Sequence, residues 1–252
     1  MFSENELTDD AFLGGKLRLF QPRRGYRAAT DPVLLAACCG ASAGQSVLDL
    51  GCGAGAAALC LGWRVPGLRL AGLELQPAYA DLARRNATRA GIEFEVTEGS
   101  VLAMPQVLRR DFDHVITNPP YYPPGGTRAR DAGRNIALHE NIDLATWTET
   151  ATRRLRPGGW LTMILRADRL GDGLAALGPK MGSVTILPFA PRKARAAGRI
   201  TIRARKGGRA GMRLLAPFVL HDHDNHPGDR DHHSIEAEAV FRHGQSLTHL
   251  FG

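Results

Sequence analysis

Residues 47–55 read VLDLGCGAG, an apolar run that ends in three glycines, each separated from the next by one residue. The apolar residues complete a short buried-strand pattern that begins at Gln45, and the alanine- and leucine-rich residues after Gly55 predict a helix. Glycines between a buried strand and a helix allow a ligand to approach the backbone amides at the helix N-terminus. This stretch therefore predicts the first strand–turn–helix unit of a ligand-binding α/β fold.

Strand and helix patterns continue to alternate after this unit. Further strands are predicted at residues 68–75, 94–97, 112–117, 160–165, 183–189 and 199–205, and helices at 32–39, 78–90, 144–155 and 169–177. Strands that alternate with helices form a parallel sheet covered on both faces. We predict one α/β domain over residues 1–252, Rossmann-like, with a seven-stranded and mostly parallel sheet and with residues 1–30 as an N-terminal extension.

Composition excludes several classes of protein. The chain has 252 residues, 44% hydrophobic and 23% charged, which argues against intrinsic disorder and against a disulfide-stapled miniprotein. Its four cysteines form no C-x-x-C pair and are predicted to be reduced core residues. No apolar run approaches the roughly 18 residues of a membrane span, and the N-terminus is acidic. We expect a cytoplasmic protein with no membrane partner.

The positive charge of the chain is almost all arginine. The formal net charge is +7, and only four of the 32 basic residues are lysines. Arginine suits bidentate recognition of phosphate, so the excess suggests an anionic partner. The base composition of the genome is an equally good explanation of arginine usage taken by itself.

Glu74 ends the second predicted strand, 19 residues after Gly55. In such folds an acid at this place accepts hydrogen bonds from the ribose hydroxyls of a nucleotide cofactor. Gly51, Gly53 and Ala56 also satisfy the G-x-G-x-x-A pattern of nicotinamide and flavin sites. The glycine turn alone therefore leaves the cofactor open.

Residues 118–121, Asn-Pro-Pro-Tyr, directly follow the fourth predicted strand. Residues at the carboxyl edge of a parallel sheet point into the ligand crevice, and two successive prolines fix the backbone there. We therefore interpret this tetrapeptide as the candidate catalytic turn.

The VLDLGCGAG stretch together with Glu74 resembles the cofactor-binding motifs of class I S-adenosylmethionine-dependent methyltransferases. The resemblance implies that Asp49 lies near the methionine part of the cofactor and that Gly51, Cys52 and Gly53 line its path. Many members carry an acid that contacts the cofactor's adenine at the turn after the third strand, and Ser100 occupies that place here.

The tetrapeptide resembles the NPPY motif of methyltransferases that act on adenine N6, cytosine N4 or glutamine amides. The resemblance implies that the Asn118 side-chain oxygen and the Pro119 carbonyl accept the two amine hydrogens, with Asn118 also beside the cofactor. Pro120 holds the turn, and Tyr121 stacks on the base. The planar amine is a poor nucleophile, so catalysis rests on orientation and charge stabilisation.

Four stretches of the chain favour one substrate among these amines. Residues 25–35 (GYRAATDPVLL), residues 118–140, and the C-terminal stretches 216–221 and 234–242 resemble the bacterial tRNA1(Val) adenine-N6 methyltransferase family. The resemblance implies N6-methylation of an RNA adenine in the anticodon loop of a tRNA, where an unpaired base flips cheaply. Candidate RNA-binding side chains are basic residues near the predicted turn or in the extension: Arg23, Arg24, Arg27, Arg128, Arg130 and Arg134.

Two other functions stay open. A glutamine-amide methyltransferase acting on a protein shares the NPPY motif, although such enzymes usually carry a helical N-terminal domain where this chain has the TDPVLL helix. A protein of another class, either a nicotinamide-binding redox protein or a non-catalytic nucleotide-binding RNA partner, is the third possibility. The sequence does not set the oligomeric state, with a monomer favoured.

Two further groups of polar residues carry weaker hypotheses. His139 and Glu140 begin a predicted helix and would either cap it or touch the base. The His- and Asp-rich residues 221–233 have metal-ligand side chains without regular spacing, so we predict a polar loop and no metal site.

Overall fold

The computed structural model describes residues 1–120, 142–222 and 233–252. Within these residues lie eleven strands: β1 (Leu7–Phe12), β2 (Leu17–Pro22), β3 (Ser46–Leu50), β4 (Arg69–Glu74), β5 (Phe94–Glu98), β6 (Phe112–Thr117), β7 (Leu155–Arg166), β8 (Met181–Arg192), β9 (Arg199–Lys206), β10 (Arg213–Leu214) and β11 (Phe218–His221). The described α-helices are α1 (Asp31–Cys38), α2 (Ala56–Arg64), α3 (Pro77–Ala90), α4 (Leu144–Arg154), α5 (Leu170–Ala176) and α6 (Ile235–His243).

Seven strands form the central sheet in the order β5–β4–β3–β6–β7–β9–β8. Six of them run in one direction, and β9 is antiparallel to both of its neighbours. The predicted seven-stranded, mostly parallel sheet is therefore confirmed. The short strands β10 and β11, which the prediction lacks, both pair with β8 and bring the described sheet to nine strands.

The helices cover both faces of the sheet, each over its own hydrophobic core. Helices α1, α2 and α6 contribute to the core on one face, around the buried Leu35 and Leu59, and Ala87 of α3 joins them. On the other face α4 and α5 pack over Phe112 and Met163. Burial on both faces explains why β3 is apolar at Val47, Leu48 and Leu50, with Asp49 as its one charged residue.

The chain reverses direction across the sheet between β3 and β6. From β3 it moves outward through β4 and β5, and it returns to β6 on the opposite side of β3. Leu50 pairs with Thr117 at the carboxyl ends of these two strands. Gly51 and Asn118 therefore follow paired residues at the switch point, where open α/β sheets form their ligand crevice.

The N-terminal extension is a β-hairpin fixed to α3. Asn86, fully buried, accepts a hydrogen bond from the Phe20 amide at 2.7 Å and donates to the Ala54 carbonyl at 2.9 Å. Arg89 binds both carboxylate oxygens of Asp9 at 3.0 and 2.9 Å and lies over the Phe20 ring. Arginines of the central helices therefore anchor the hairpin, a role that needs no anionic partner.

Burial on β9 exceeds what its alternating sequence indicates. The alternation puts Ile200 and Ile202 on one face and Thr201 and Arg203 on the other, yet all four side chains are buried. The Arg203 guanidinium lies 4.5 Å from the ring centroid of Phe251, which covers that face. A charged side chain in a period-two pattern does not by itself mark an exposed face.

All four cysteines are buried free thiols, as predicted. None of the helices in the described parts of the chain combines the length and the apolar character needed to cross a membrane.

Candidate active site

The glycine turn after β3 has a backbone that only glycine adopts easily. Gly51, Gly53 and Gly55 have φ values of +80°, +54° and +87°. The amides of Gly51 and Cys52 both donate to the Leu73 carbonyl, at 2.9 and 3.0 Å, which ties the turn to β4. A Cβ on Gly51 would lie 2.9 Å from the Trp147 ring, so packing as well as φ requires glycine here.

Glu74 lies against this turn as the sequence predicts. Its carboxylate is buried and accepts hydrogen bonds from the amides of Gly53 and Gln76, each at 2.9 Å. Burial raises the pKa of Glu74, while the amide hydrogen bonds act in the opposite direction. A carboxylate has about four lone-pair sites, so Glu74 retains acceptor capacity toward a ligand hydroxyl.

Asp49 is buried behind the turn. Its carboxylate accepts a hydrogen bond from the Ala58 amide at 3.3 Å. Burial, reinforced by the nearby charge of Glu74, raises the pKa of Asp49 to about 7. Asp49 and Glu74, two carboxyl groups without a described ion pair, thus both line the cavity, which suits a ligand that carries positive charge.

The turn after β5 meets the cavity through residues other than the predicted one. Gly99 and Val101 line the cavity, whereas the Ser100 hydroxyl accepts a hydrogen bond from the Leu102 amide at 3.1 Å. This local bond stabilises the turn. Ser100 contact with a cofactor stays a prediction, one that the geometry does not favour.

The strand before Asn118 is held by a buried hydrogen-bond chain. The Thr117 hydroxyl donates to the Leu50 carbonyl at 2.7 Å and accepts from the Trp147 indole at 2.8 Å. Thr117 is fully buried. Trp147 therefore braces the glycine turn and the candidate catalytic turn together, a role that its sequence position did not indicate.

Asn118, Pro119 and Pro120 all line the cavity. Pro119 is buried and Pro120 is exposed. The Asn118 side-chain nitrogen donates to the Tyr26 hydroxyl at 3.3 Å. Tyr121 lies outside the described residues, as do His139 and Glu140.

Tyr26 is the site residue that sequence reasoning missed. Its ring lies 3.6 Å from the position that a Cβ on Gly53 would take, and its carbonyl accepts a hydrogen bond from the Tyr79 hydroxyl at 3.0 Å. Tyr26 is 37% exposed as a whole residue, whereas burial around its hydroxyl raises the pKa of the phenol strongly, with the charge of Asp31 adding to the effect, so the phenol stays neutral. Tyr26 lies within residues 25–35, whose resemblance to the tRNA adenine-N6 methyltransferase family was the available signal, but that resemblance did not single out Tyr26.

One large cavity joins these groups. Its volume is about 1060 Å³, and its described lining includes Tyr26, Asp49, Gly53, Glu74 and Asn118. The walls thus combine exposed backbone of a glycine turn with buried carboxylates at two points. A nucleoside with a cationic tail, such as S-adenosylmethionine, fits this set of groups, and Cys52 lines the same cavity.

The predicted RNA-binding arginines of the extension differ in what they contact. Arg27 is tied to Asp10 at 2.6 Å, to the Thr8 hydroxyl and to the Pro22 carbonyl, so its guanidinium serves the hairpin. Arg23 donates from Nε to the Asn5 carbonyl. Arg24 is exposed. Arg128, Arg130 and Arg134 lie outside the described residues.

Comparisons with known proteins give a consistent set of relatives. The family model described as methyltransferase small domain matches residues 30–185. A tRNA1(Val) (adenine(37)-N6)-methyltransferase of Porphyromonas gingivalis W83 is 34% identical over 173 residues, which cover 65% of this chain and 68% of that protein. A release factor glutamine methyltransferase of Geobacter sulfurreducens is 33% identical over 129 residues, which cover 48% of this chain and 45% of that protein.

A solved structure from Agrobacterium tumefaciens, described as a predicted O-methyltransferase, has a TM-score of 0.69 and 27% identity to this chain. The match covers 86% of this chain and 97% of that one. The small-domain match begins at Thr30, so Tyr26 and the β1–β2 hairpin precede the segment that it covers.

Proposed function

The chain belongs to the methyltransferase small domain family, and we propose that it methylates the N6 amine of an adenine in a tRNA anticodon loop, with S-adenosylmethionine as methyl donor. One observation carries this proposal. The pairing of Leu50 with Thr117 sets the glycine turn beside Asn118, and both open into the same cavity. A methyl donor and an amine could therefore meet at the switch point.

The residues that would hold S-adenosylmethionine are those of the glycine turn and its two acids. Glu74 would accept from the ribose hydroxyls, and the buried Asp49 would face the methionine end. Gly51, Cys52 and Gly53 would line the path between them. When bound, the cofactor supplies a methyl group on a sulfonium, an electrophile that needs no further activation.

Asn118 and Pro119 orient the substrate amine. The Asn118 side-chain oxygen and the Pro119 carbonyl each accept one amine hydrogen, which draws the nitrogen out of conjugation and directs its lone pair toward the methyl group. Because the proline ring fixes the backbone, little reorganisation is needed when charge develops on the nitrogen. Tyr121 would complete the site by stacking on the base.

RNA adenine is better supported as the substrate than a protein glutamine amide. The adenine-methylating relative from P. gingivalis matches over 173 residues, and the glutamine-methylating relative from G. sulfurreducens over 129. The residues directly before α1 form a β-hairpin that is bound to α3. The glutamine amide is therefore the second candidate, since it shares the NPPY chemistry.

We also propose the setting in which the enzyme works. Residues 1–252 form one domain, with residues 1–30 integral to it because the hairpin is bound to α3 through Asn86 and Arg89. The buried free thiols and a tRNA substrate both suit the cytoplasm.

A substrate competition tests the proposal. Purified chain is incubated with methyl-labelled S-adenosylmethionine, an unmodified tRNA1(Val) transcript and a release factor in one tube. We expect label in N6-methyladenosine, and no label when the anticodon-loop adenine is replaced by guanine. Label confined to the release factor would reject the adenine proposal and select the glutamine amide.

A further inference from the structure

The β8–β9 hairpin rises above the edge of the sheet that carries the site. Thr117, the last residue of β6, is level with Met163 of β7, which pairs with Ile202 of β9, and Ile202 pairs with Ile186 of β8. Strand β8 then continues six residues further, to Arg192. At about 3.3 Å per residue the hairpin extends roughly 20 Å beyond the level of Thr117.

This extension forms a wall beside the active site. Strands β9 and β7 separate β8 from β6, so the wall stands about 14 Å to the side of Asn118 at a strand spacing of about 4.8 Å. Arg199, at the start of β9, lines the active-site cavity and is bound to Asp31 at 2.9 Å. The wall is therefore continuous with the cavity.

The tip of this wall is strongly basic. Residues 190–198 read APRKARAAG and contain three basic residues and no acid. We name Arg192, Lys193 and Arg195 the basic tip. Lys193 and Arg195 are exposed, and the turn is closed by backbone bonds from Arg195 to Arg192 and from Gly198 to Phe189.

Other basic residues of these strands lie at the opposite edge of the sheet. Lys180 precedes the start of β8, and Arg209 follows the end of β9, so the topology places both at the amino edge of the parallel strands. Both are exposed. Basic residues close in sequence to one hairpin are thus divided between the edge that carries the site and the edge that does not.

We propose that the basic tip binds phosphates of the RNA whose adenine enters the active site. The inference rests on the proposed adenine N6-methylation. A base flipped into the cavity leaves its flanking nucleotides outside, and their phosphates run along the rim where the wall stands. A short, closed turn with exposed cations and no acid matches a phosphate backbone and not an apolar partner.

Two double variants, which change the net charge of the protein by the same amount, test this proposal. Lys193→Glu with Arg195→Glu changes the basic tip, and Lys180→Glu with Arg209→Glu makes the same charge change at the opposite edge. The dissociation constant for an unmodified tRNA1(Val) transcript is measured by filter binding over a range of salt concentrations. S-adenosylmethionine binding is measured for each protein as a check of folding.

The tip pair, Lys193→Glu with Arg195→Glu, is expected to weaken tRNA binding at least tenfold. It should also make the salt dependence less steep, because binding releases fewer counterions when fewer phosphates are contacted. The matched pair should stay within about twofold of wild type. Equal effects of the two pairs, whether large or absent, would overturn the inference. If the tip pair fails to bind S-adenosylmethionine, Lys193→Gln with Arg195→Gln replaces it, with a smaller loss expected.

Failure of the inference and failure of the proposed function give different results. Suppose that wild type and the tip pair methylate tRNA equally well at limiting RNA. That result would reject the phosphate-binding role of the basic tip and would still support adenine methylation. A wild-type enzyme that ignores tRNA and methylates a glutamine would reject both.

Discussion

The side-chain nitrogen of Asn118 donates a hydrogen bond to the Tyr26 hydroxyl across 3.3 Å. The two residues are 92 positions apart, and the Tyr26 carbonyl accepts a hydrogen bond from Tyr79 while its ring lies beside Gly53. An amide bound through its nitrogen presents its oxygen on the other side of the group. Tyr26 thus binds the nitrogen end of the Asn118 amide, which leaves the oxygen end as the acceptor that the proposed chemistry requires.

Tyr26→Phe should lower the turnover number about tenfold, which corresponds to one hydrogen bond of about 1.4 kcal/mol. Affinity for S-adenosylmethionine should change little, because the ring that packs on Gly53 is retained. Single-turnover rates at saturating cofactor measure the effect.

A double-mutant comparison separates positioning from general damage. In an Asn118→Ser background Tyr26→Phe should have almost no further effect, because the amide that it orients is gone. An equal loss in both backgrounds would show that Tyr26 does not act through Asn118.

Gly51→Ala should destabilise the protein more than Gly44→Ala, although the two glycines have nearly equal φ values of +80° and +81°. Positive φ costs an alanine about 1–2 kcal/mol at either position. At Gly51 the new Cβ also overlaps the Trp147 ring, whereas at Gly44 no atom lies within 4 Å. We expect an additional 1–3 kcal/mol for Gly51→Ala in urea unfolding. Equal losses would mean that Trp147 moves freely, against its bond to Thr117.

Glu74→Gln should weaken S-adenosylmethionine binding about thirtyfold, since a charge-assisted hydrogen bond contributes about 2 kcal/mol. Glu98 is the matched control, because it pairs in register with Glu74 on the neighbouring strand and forms an exposed ion pair with Arg84. Glu98→Gln should bind the cofactor normally. Calorimetric titration measures the affinity of both variants for S-adenosylmethionine. Comparable losses of affinity would show that Glu74 does not bind the cofactor.

Asp49 should make the unliganded protein less stable as the pH rises toward 8. Burial raises the pKa of Asp49 to about 7, so the folded state holds a proton that the unfolded chain has already released. Stability from this proton is complete below the ordinary pKa of aspartate and is lost as the pH rises through 7. The Asp49→Asn side chain has no such proton to release, so its contribution to stability does not change with pH.

The measurement is the difference in unfolding free energy between wild type and Asp49→Asn, by urea titration at pH 5, 6, 7 and 8. As the pH rises, the unfolding free energy of the variant should increase relative to that of wild type. Burial lowers the pKa of His114 to about 4, and the contribution of His114 cancels in the difference between the two proteins. A difference that is constant with pH would contradict the raised pKa of Asp49.

Local patterns in the sequence predict the central sheet and much of the site. The apolar run before Gly51, the acid at Glu74 and the turn at Asn118 are each defined by neighbours within a few residues, and the structure brings them together. Strands β1 and β2 are harder to predict because their sequences mix charged and apolar residues and gain stability from α3. Tyr26 and Trp147 act through contacts distant in sequence, which one sequence without its fold does not reveal.

The basic tip illustrates the same limit. The sequence shows basic residues at several positions between 180 and 209, but only the register of β6, β7, β9 and β8 separates those at the edge with the site from those at the opposite edge. The position of the basic tip depends on how far β8 extends beyond the end of β6. Pairing with β11 and β9 sets that length.

Nucleoside mass mapping of tRNA from cells with and without this chain tests the central claim most directly. Loss of the chain should remove N6-methyladenosine from one anticodon-loop position. The wild-type chain should restore it, and Asn118→Ala, which is expected to retain cofactor binding near normal, should not. An unchanged tRNA together with lost methylation of a release-factor glutamine would contradict the account.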